Sequence, residues 1–140
     1  MKKFLLWMLI LSLTLSLCSC GKYFSSFKAL GLVRNQTSHS CNASFFSLDG
    51  QLVFKLKKSG TGTEGDISYS IQVDEGELYL YYDIYGTKEE LAHVTAGETL
   101  TSSGGYVEGE HTVYIIIEAP QKAKGKISVE LDHNTSNTDS

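Results

Sequence analysis

Apolar and polar side chains alternate with a period of two over most of the sequence from about Ala43 to Asp132. The alternation is clearest at 52–57, 67–74, 78–85, 113–118 and 127–131. Because successive side chains of a strand point to opposite faces, each of these segments is predicted to be a half-buried strand. Weaker strands fit 90–95 and 98–101, and turn-forming residues such as Glu75-Gly76 separate the segments. The pattern predicts an all-β fold, an antiparallel β-sandwich of jelly-roll or immunoglobulin-like type with seven or eight strands.

The N-terminus has the layout of an export signal. Lys2 and Lys3 precede a run of low polarity from Phe4 to Leu17, and small residues follow. This arrangement is typical of a signal peptide, and the run is shorter than the roughly 20 apolar residues that span a bilayer. Residues 20–140 are therefore expected to be exported.

The end of this run resembles the lipobox of bacterial lipoproteins. The residues are Leu17-Cys18-Ser19-Cys20, followed by Gly21. The resemblance implies cleavage before Cys20, a diacylglyceryl group on its thiol, and membrane attachment through acyl chains such as palmitate. Modification of Cys18 would place the bulky Leu17 next to the cleavage site, so Cys20 is preferred. The alternative is an ordinary secretory signal in which the cysteines are coincidental.

The composition divides the chain into four parts. We predict a signal peptide at 1–19, a lipid-anchored tether at 20–43, a β-sandwich domain at 44–132 and a disordered polar tail at 133–140. A fully flexible tether of this length would span roughly 25–30 Å. The apolar residues between Tyr23 and Leu32 fit either a turn of helix near the membrane or an arm packed on the domain.

The order of strands and turns over residues 51–132 is similar to the layout of bacterial pre-peptidase C-terminal domains. The similarity includes a small-residue turn before a strand, Val107 to Tyr114. It implies a jelly-roll accessory module of extracellular proteins and brings no catalytic residues.

The candidate ligand-binding face consists of Tyr79, Tyr81, Asp83 and Tyr85, which share one face of a predicted strand. If that face is open, its rings and carboxylate suit stacking on sugar rings or a contact with a protein. The alternatives are that residues 23–32 cover it or that the rings pair with residues on neighbouring strands.

Other chemistry has weak support in the sequence. The net charge of −4 becomes −6 without Lys2 and Lys3, which disfavours nucleic acid as a partner. No His, Cys or carboxylate spacing predicts a metal site, and no cofactor motif fits its context. Cys41 would be the only cysteine after export and is expected to be a buried, unreactive thiol. Two basic groups, Lys55-Lys57-Lys58 and Lys122-Lys124-Lys126, are expected to form one basic edge. Lysines at an edge most simply prevent aggregation, and the functional alternative is contact with anionic lipid headgroups or a wall polymer.

These features together predict a membrane-anchored lipoprotein of the bacterial envelope that faces outside the cytoplasm. Its expected role is a non-enzymatic binding or accessory module for a protein or glycan ligand. The alternative is a structural or stabilising subunit of an envelope complex. A small hydrolase is the third hypothesis, and it would require a compact cluster of Ser or Cys, His and carboxylate.

Overall fold

The structure is a computed structural model that describes residue 3 and residues 23–58, 64–108 and 111–131. The predicted lipid-attachment residue Cys20, the signal peptide apart from Lys3, and the tail 133–140 lie outside the described residues. The described residues form eight strands: β1 Ser26–Leu30, β2 Val33–Gln36, β3 Ser40–Lys58, β4 Glu64–Glu75, β5 Glu77–Asp83, β6 Glu89–Thr95, β7 Thr99–Glu108 and β8 His111–Leu131. In the described part of the chain, no helix is long and apolar enough to cross a membrane.

All strand pairs are antiparallel and they form two layers. We call the layer of β2, residues 40–45 of β3, residues 125–131 of β8, β4 and β7 sheet 1. We call the layer of β1, residues 47–58 of β3, residues 111–119 of β8, β5 and β6 sheet 2. The hydrogen-bonded network is continuous because β3 and β8 each run through both sheets, with register shifts on either side of Leu48.

One apolar core lies between the two sheets. Sheet 1 contributes residues such as Ile67, Ile71 and Val129, and sheet 2 contributes residues such as Leu80 and Ile117. These are the inward positions of the period-two pattern, so burial of one face per strand explains the alternation in the sequence. The prediction of an antiparallel β-sandwich with seven or eight strands is confirmed.

The sequence predicts two closing strands where the structure has one, β8. The strand continues through Pro120, which lacks a backbone donor. Pro120 lies between Ala119, paired with Gly50, and Ala123, paired with Leu48, where β8 has two more residues than β3. The irregular pairing tolerates the proline at the point where β8 passes from sheet 2 to sheet 1.

The sheets begin before residue 44, within the segment for which the sequence predicts a tether. β1 pairs with residues 47–51 of β3, and β2 pairs with residues 41–44. Gly31 connects them with a φ of 62°, and its site is too close to the Phe46 ring for a side chain. An arm packed on the domain, rather than a turn of helix, therefore describes residues 26–36.

The expectation of a single basic edge is wrong. Lys55 pairs with Tyr114 in sheet 2, whereas Lys126 pairs with Ser44 and Gln72 in sheet 1. The two basic groups lie on different sheets because β3 and β8 bend between them.

Candidate functional site

Tyr79 and Tyr81 lie on the outer face of sheet 2, where their side chains are partly exposed. The rings are nearly parallel, with centroids 6.1 Å apart and 11° between the planes. The ring of His93, on the neighbouring strand β6, stacks on Tyr79 at 4.0 Å and 5°. The Lys88 ammonium lies 4.2 Å from the centroid of Tyr81. One face of each tyrosine ring is thus occupied by a neighbouring side chain, so the stack leaves less flat aromatic surface than the sequence suggests.

Charged groups surround this stack. His93 Nε2 is 2.7 Å from Glu77 Oε2, and Lys88 forms an ion pair with Glu118. Desolvation, followed by the nearby carboxylates, raises the pKa values of both Tyr79 and Tyr81. The two phenols therefore remain protonated and keep a hydrogen-bond donor at neutral pH.

The hydroxyl groups of Tyr79 and Tyr81 have no hydrogen-bond partner among the described residues. Other tyrosines use theirs within the fold. Tyr69 Oη donates to Leu91 O at 3.1 Å, and Tyr82 Oη donates to Glu89 Oε2 at 2.5 Å. The two stacked phenols are thus available for an external partner.

Asp83 does not present a carboxylate to solvent, because it is only 2% exposed. Its Oδ2 accepts a hydrogen bond from Tyr23 Oη at 2.5 Å, and its Oδ1 accepts one from the Gly86 N–H at 2.7 Å. The ring of Tyr23 also packs on Tyr114 with centroids 5.4 Å apart. Residues N-terminal to β1 thus cover this end of the face, as one of the alternatives predicts.

Tyr85 is separated from the stack because β5 ends at Asp83. It is 65% exposed and lines a cavity of about 290 Å³ with Tyr82, Ile84 and Glu89. Of the four predicted face residues, the structure brings only Tyr79 and Tyr81 together. The sequence analysis missed His93 and Lys88, because their contacts with the rings depend on which segments adjoin in the fold. Tyr23 belongs to the segment 23–32 that one of the alternatives places over this face.

The outer face of sheet 1 is a second candidate surface, and the sequence analysis did not identify it. Polar residues from β3, β8, β4 and β7, most of them serine, threonine or asparagine, face one another in three cross-strand rows. The rows are Ser44, Lys126, Gln72 and Thr99; Asn42, Ser128, Ser70 and Thr101; and Ser40, Glu130, Ser68 and Ser103. Their alternation with buried residues was visible in the sequence, but strand order alone makes them neighbours.

Three adjoining cavities run along this face and form what we call the sheet 1 groove. A central cavity of about 320 Å³ shares Ser70 and Ser128 with a cavity of about 520 Å³ on one side. It shares Ser44, Gln72 and Lys126 with a cavity of about 240 Å³ on the other side.

The smallest cavity of the groove contains an exposed aromatic ring. Phe46 lines it and is 71% exposed, and the Lys124 ammonium lies 5.6 Å from the centre of its ring. The groove therefore combines hydroxyl, amide and charged groups along its length with an aromatic platform at one end.

Catalytic and metal chemistry have little support in the described residues. They contain no group of three or more His, Cys, Asp or Glu side chains that could hold a metal ion. Cys41 is buried, and burial raises the pKa of its thiol to about 12. The nearby His39 directs Nδ1 to Lys57 O at 2.9 Å. At neutral pH this thiol lacks the thiolate character that nucleophilic catalysis requires.

No family model and no curated protein matches this chain. Among solved structures, a variant of a family 29 carbohydrate-binding module in complex with mannohexaose has a TM-score of 0.43 and 13% identity, covering 76% of this chain and 78% of that one. Another structure of a family 29 carbohydrate-binding module has a TM-score of 0.41 and 14% identity, with coverage of 76% and 75%.

Proposed function

We propose that this protein is a lipid-anchored binding module of the bacterial envelope, without catalytic activity, that binds a polysaccharide chain in the sheet 1 groove. The observation that carries the proposal is the run of three adjoining cavities whose linings combine hydroxyl, amide and charged side chains with the Phe46 ring. The lipobox-like sequence ending at Cys20 supports the membrane anchor.

The chemistry of the groove suits a polyhydroxylated ligand. Sugars present hydroxyl groups that exchange hydrogen bonds with groups such as Asn42, Gln72 and Ser128, which can donate and accept. The apolar face of a sugar ring packs well on an exposed aromatic ring such as Phe46. The floor belongs to paired strands, so binding requires little ordering of the protein.

The stacked pair of Tyr79 and Tyr81 is a second candidate surface. Their two phenols have no hydrogen-bond partner within the described chain, and the stack holds the rings in place. Rigid tyrosines with available hydroxyl groups are favourable anchors for a protein or glycan contact. The sequence-based assignment of ligand binding to this face stays a prediction.

A retention assay decides between the sheet 1 groove and the tyrosine stack as the binding surface. It compares the unmodified protein with one variant at each surface. The probes are purified cell-wall sacculi and soluble envelope polysaccharide. Ser128→Tyr places a bulky side chain at an exposed position shared by two cavities, and tyrosine is compatible with a strand. We expect this variant to lose at least about tenfold in retention, which corresponds to about 1.4 kcal/mol. The matched control, Tyr79→Ala with Tyr81→Ala, should bind as the unmodified protein does.

The opposite pattern, with loss only in the tyrosine variant, would transfer the site to the outer face of sheet 2. If the unmodified protein binds neither polysaccharide probe and cross-linking in cells yields one constant protein partner, the alternative of a structural subunit is favoured. Circular dichroism of each variant verifies that the strands are intact.

A further inference from the structure

The residues just before β1 are fixed to the outer face of sheet 2. Tyr23 donates to the buried Asp83 carboxylate, as described above. Ser25 Oγ accepts from the Val53 N–H at 2.9 Å, and Gln51 Nε2 donates to Phe24 O at 3.1 Å. Together these contacts hold residues 23–25, which we call the N-terminal clamp, along β3, and the Tyr23 side chain extends over the outer face of sheet 2 to Tyr114 and Asp83.

The clamp leaves almost no tether. Cys20 precedes Tyr23 by three residues, and three extended residues reach at most about 11 Å. The headgroup region adds roughly 6 Å on each side of the hydrocarbon core. A domain attached through acyl chains at Cys20 therefore has the clamp at the level of the headgroups or just above them. This differs from the long flexible tether that the sequence suggests.

The surface around the clamp carries groups that suit such a position. Phe24 is the middle residue of the clamp and is 74% exposed. Lys28 on β1 and Lys55 and Lys57 on β3 are also exposed, with Asp49 opposite Lys28. Aromatic rings favour the membrane interface, and lysines near the surface are attracted to anionic lipid. We call Phe24, Lys28, Lys55 and Lys57 the clamp patch.

We propose that the clamp patch lies on the bilayer surface, so that the domain has a fixed orientation with the β1 and β3 side of sheet 2 towards anionic headgroups and the sheet 1 groove directed away from them. The inference rests on the proposed lipid anchor at Cys20. It explains how a short attachment leaves the groove accessible, because the clamp is bonded to sheet 2 whereas the groove is lined by residues of sheet 1.

Quenching of a single tryptophan by brominated lipid tests the orientation. The full chain is produced in bacteria, purified after processing, and reconstituted in phosphatidylcholine vesicles with or without 30% phosphatidylglycerol. The only tryptophan, Trp7, belongs to the predicted signal peptide, so the processed protein contributes no background. Phe24→Trp reports on the clamp patch. Phe46→Trp, at an equally exposed site on the groove, is the matched control.

We expect brominated lipid to reduce the emission of the Phe24→Trp protein at least about twofold and to leave the Phe46→Trp protein nearly unchanged. The reduction should be greater with phosphatidylglycerol, and replacing Lys28, Lys55 and Lys57 by Gln should remove that dependence. Equal quenching of the two proteins, or none in either, overturns the fixed orientation. A dependence on phosphatidylglycerol that survives the lysine replacements overturns the role of the clamp patch.

Mass spectrometry of the N-terminal peptide separates this outcome from failure of the anchor. An unmodified Cys20 refutes the proposed lipid attachment itself. A lipidated Cys20 combined with equal quenching refutes only the orientation.

Discussion

Removing one hydroxyl group from the N-terminal clamp should measurably destabilise the protein. Tyr23→Phe deletes the donor to Asp83 Oδ2 but keeps the ring that packs on Tyr114. The carboxylate is 2% exposed, so water cannot easily replace the lost hydrogen bond. Deleting one partner of a buried hydrogen bond costs about 1–3 kcal/mol, and no cavity is created. We therefore expect the free energy of unfolding to fall by about 2 kcal/mol.

Tyr82→Phe is the matched control for this prediction. Tyr82 Oη also donates to a carboxylate oxygen at 2.5 Å, but its acceptor, Glu89, is exposed. Water can solvate that carboxylate after the substitution, so the expected cost is within about 0.5 kcal/mol. The comparison isolates the effect of burial from the type of bond and its length.

Urea unfolding followed by circular dichroism measures both variants. With a typical slope of about 2 kcal/mol per molar urea, Tyr23→Phe should lower the midpoint by about 1 M. Equal costs for Tyr23→Phe and Tyr82→Phe, or a cost below about 0.5 kcal/mol for Tyr23→Phe, would refute the conclusion that the clamp is fixed by a buried carboxylate.

Three further predictions concern the sandwich, and each can be measured by urea unfolding. Gly50→Ala should lower the free energy of unfolding more than Gly97→Ala does. Both glycines have positive φ, but a Cβ at Gly50 would lie 2.3 Å from Ser26 O, whereas a Cβ at Gly97 would meet nothing within 4 Å. Equal losses of stability would contradict the close approach of β1 to Gly50. Ile116→Ala should lower the free energy of unfolding by about 2–5 kcal/mol, because Ile116 is fully buried on the outer face of sheet 2. A loss below about 1 kcal/mol would mean that this face is open to solvent at Ile116. The Cys41 thiol has a pKa raised from 9.0 to about 12 in the folded protein, so its contribution to stability is present below pH 9 and is lost as pH rises towards 12. Relative to Cys41→Ala, the unmodified protein should lose up to about 1.4 kcal/mol per pH unit in that window, and parallel pH profiles would contradict the burial of the thiol.

Most of the strands could be predicted from the sequence because burial of one face leaves a local trace. Every second residue of segments such as 67–73 is apolar, and these residues form the core. The turn at Glu75-Gly76 was also visible, and Gly76 has a φ of 78°. The sequence does not show strand pairing, and its pattern therefore predicts two strands where the structure has the single bent strand β8.

The candidate sites depended more on tertiary structure. The sequence placed Tyr79, Tyr81 and Asp83 on one face and left open whether residues 23–32 cover it. The structure shows that Tyr23 covers Asp83. Nor did it indicate that His93 and Lys88 would contact the rings. Such contacts join residues far apart in the chain, and their partners follow from sheet order rather than from a repeating pattern.

What the sequence alone determined was the alternation of buried and exposed positions, because that depends only on the period of a strand. The export signal and the lipobox-like motif were likewise read from neighbouring residues, and they remain predictions. Only the tertiary structure determined which strands adjoin. That order makes separate serines and threonines into the lining of the sheet 1 groove, and it converts most of the supposed tether into strands held against the domain. The physical reason is that strand pairing depends on backbone hydrogen bonds and packing between distant segments, which no local pattern of side chains specifies.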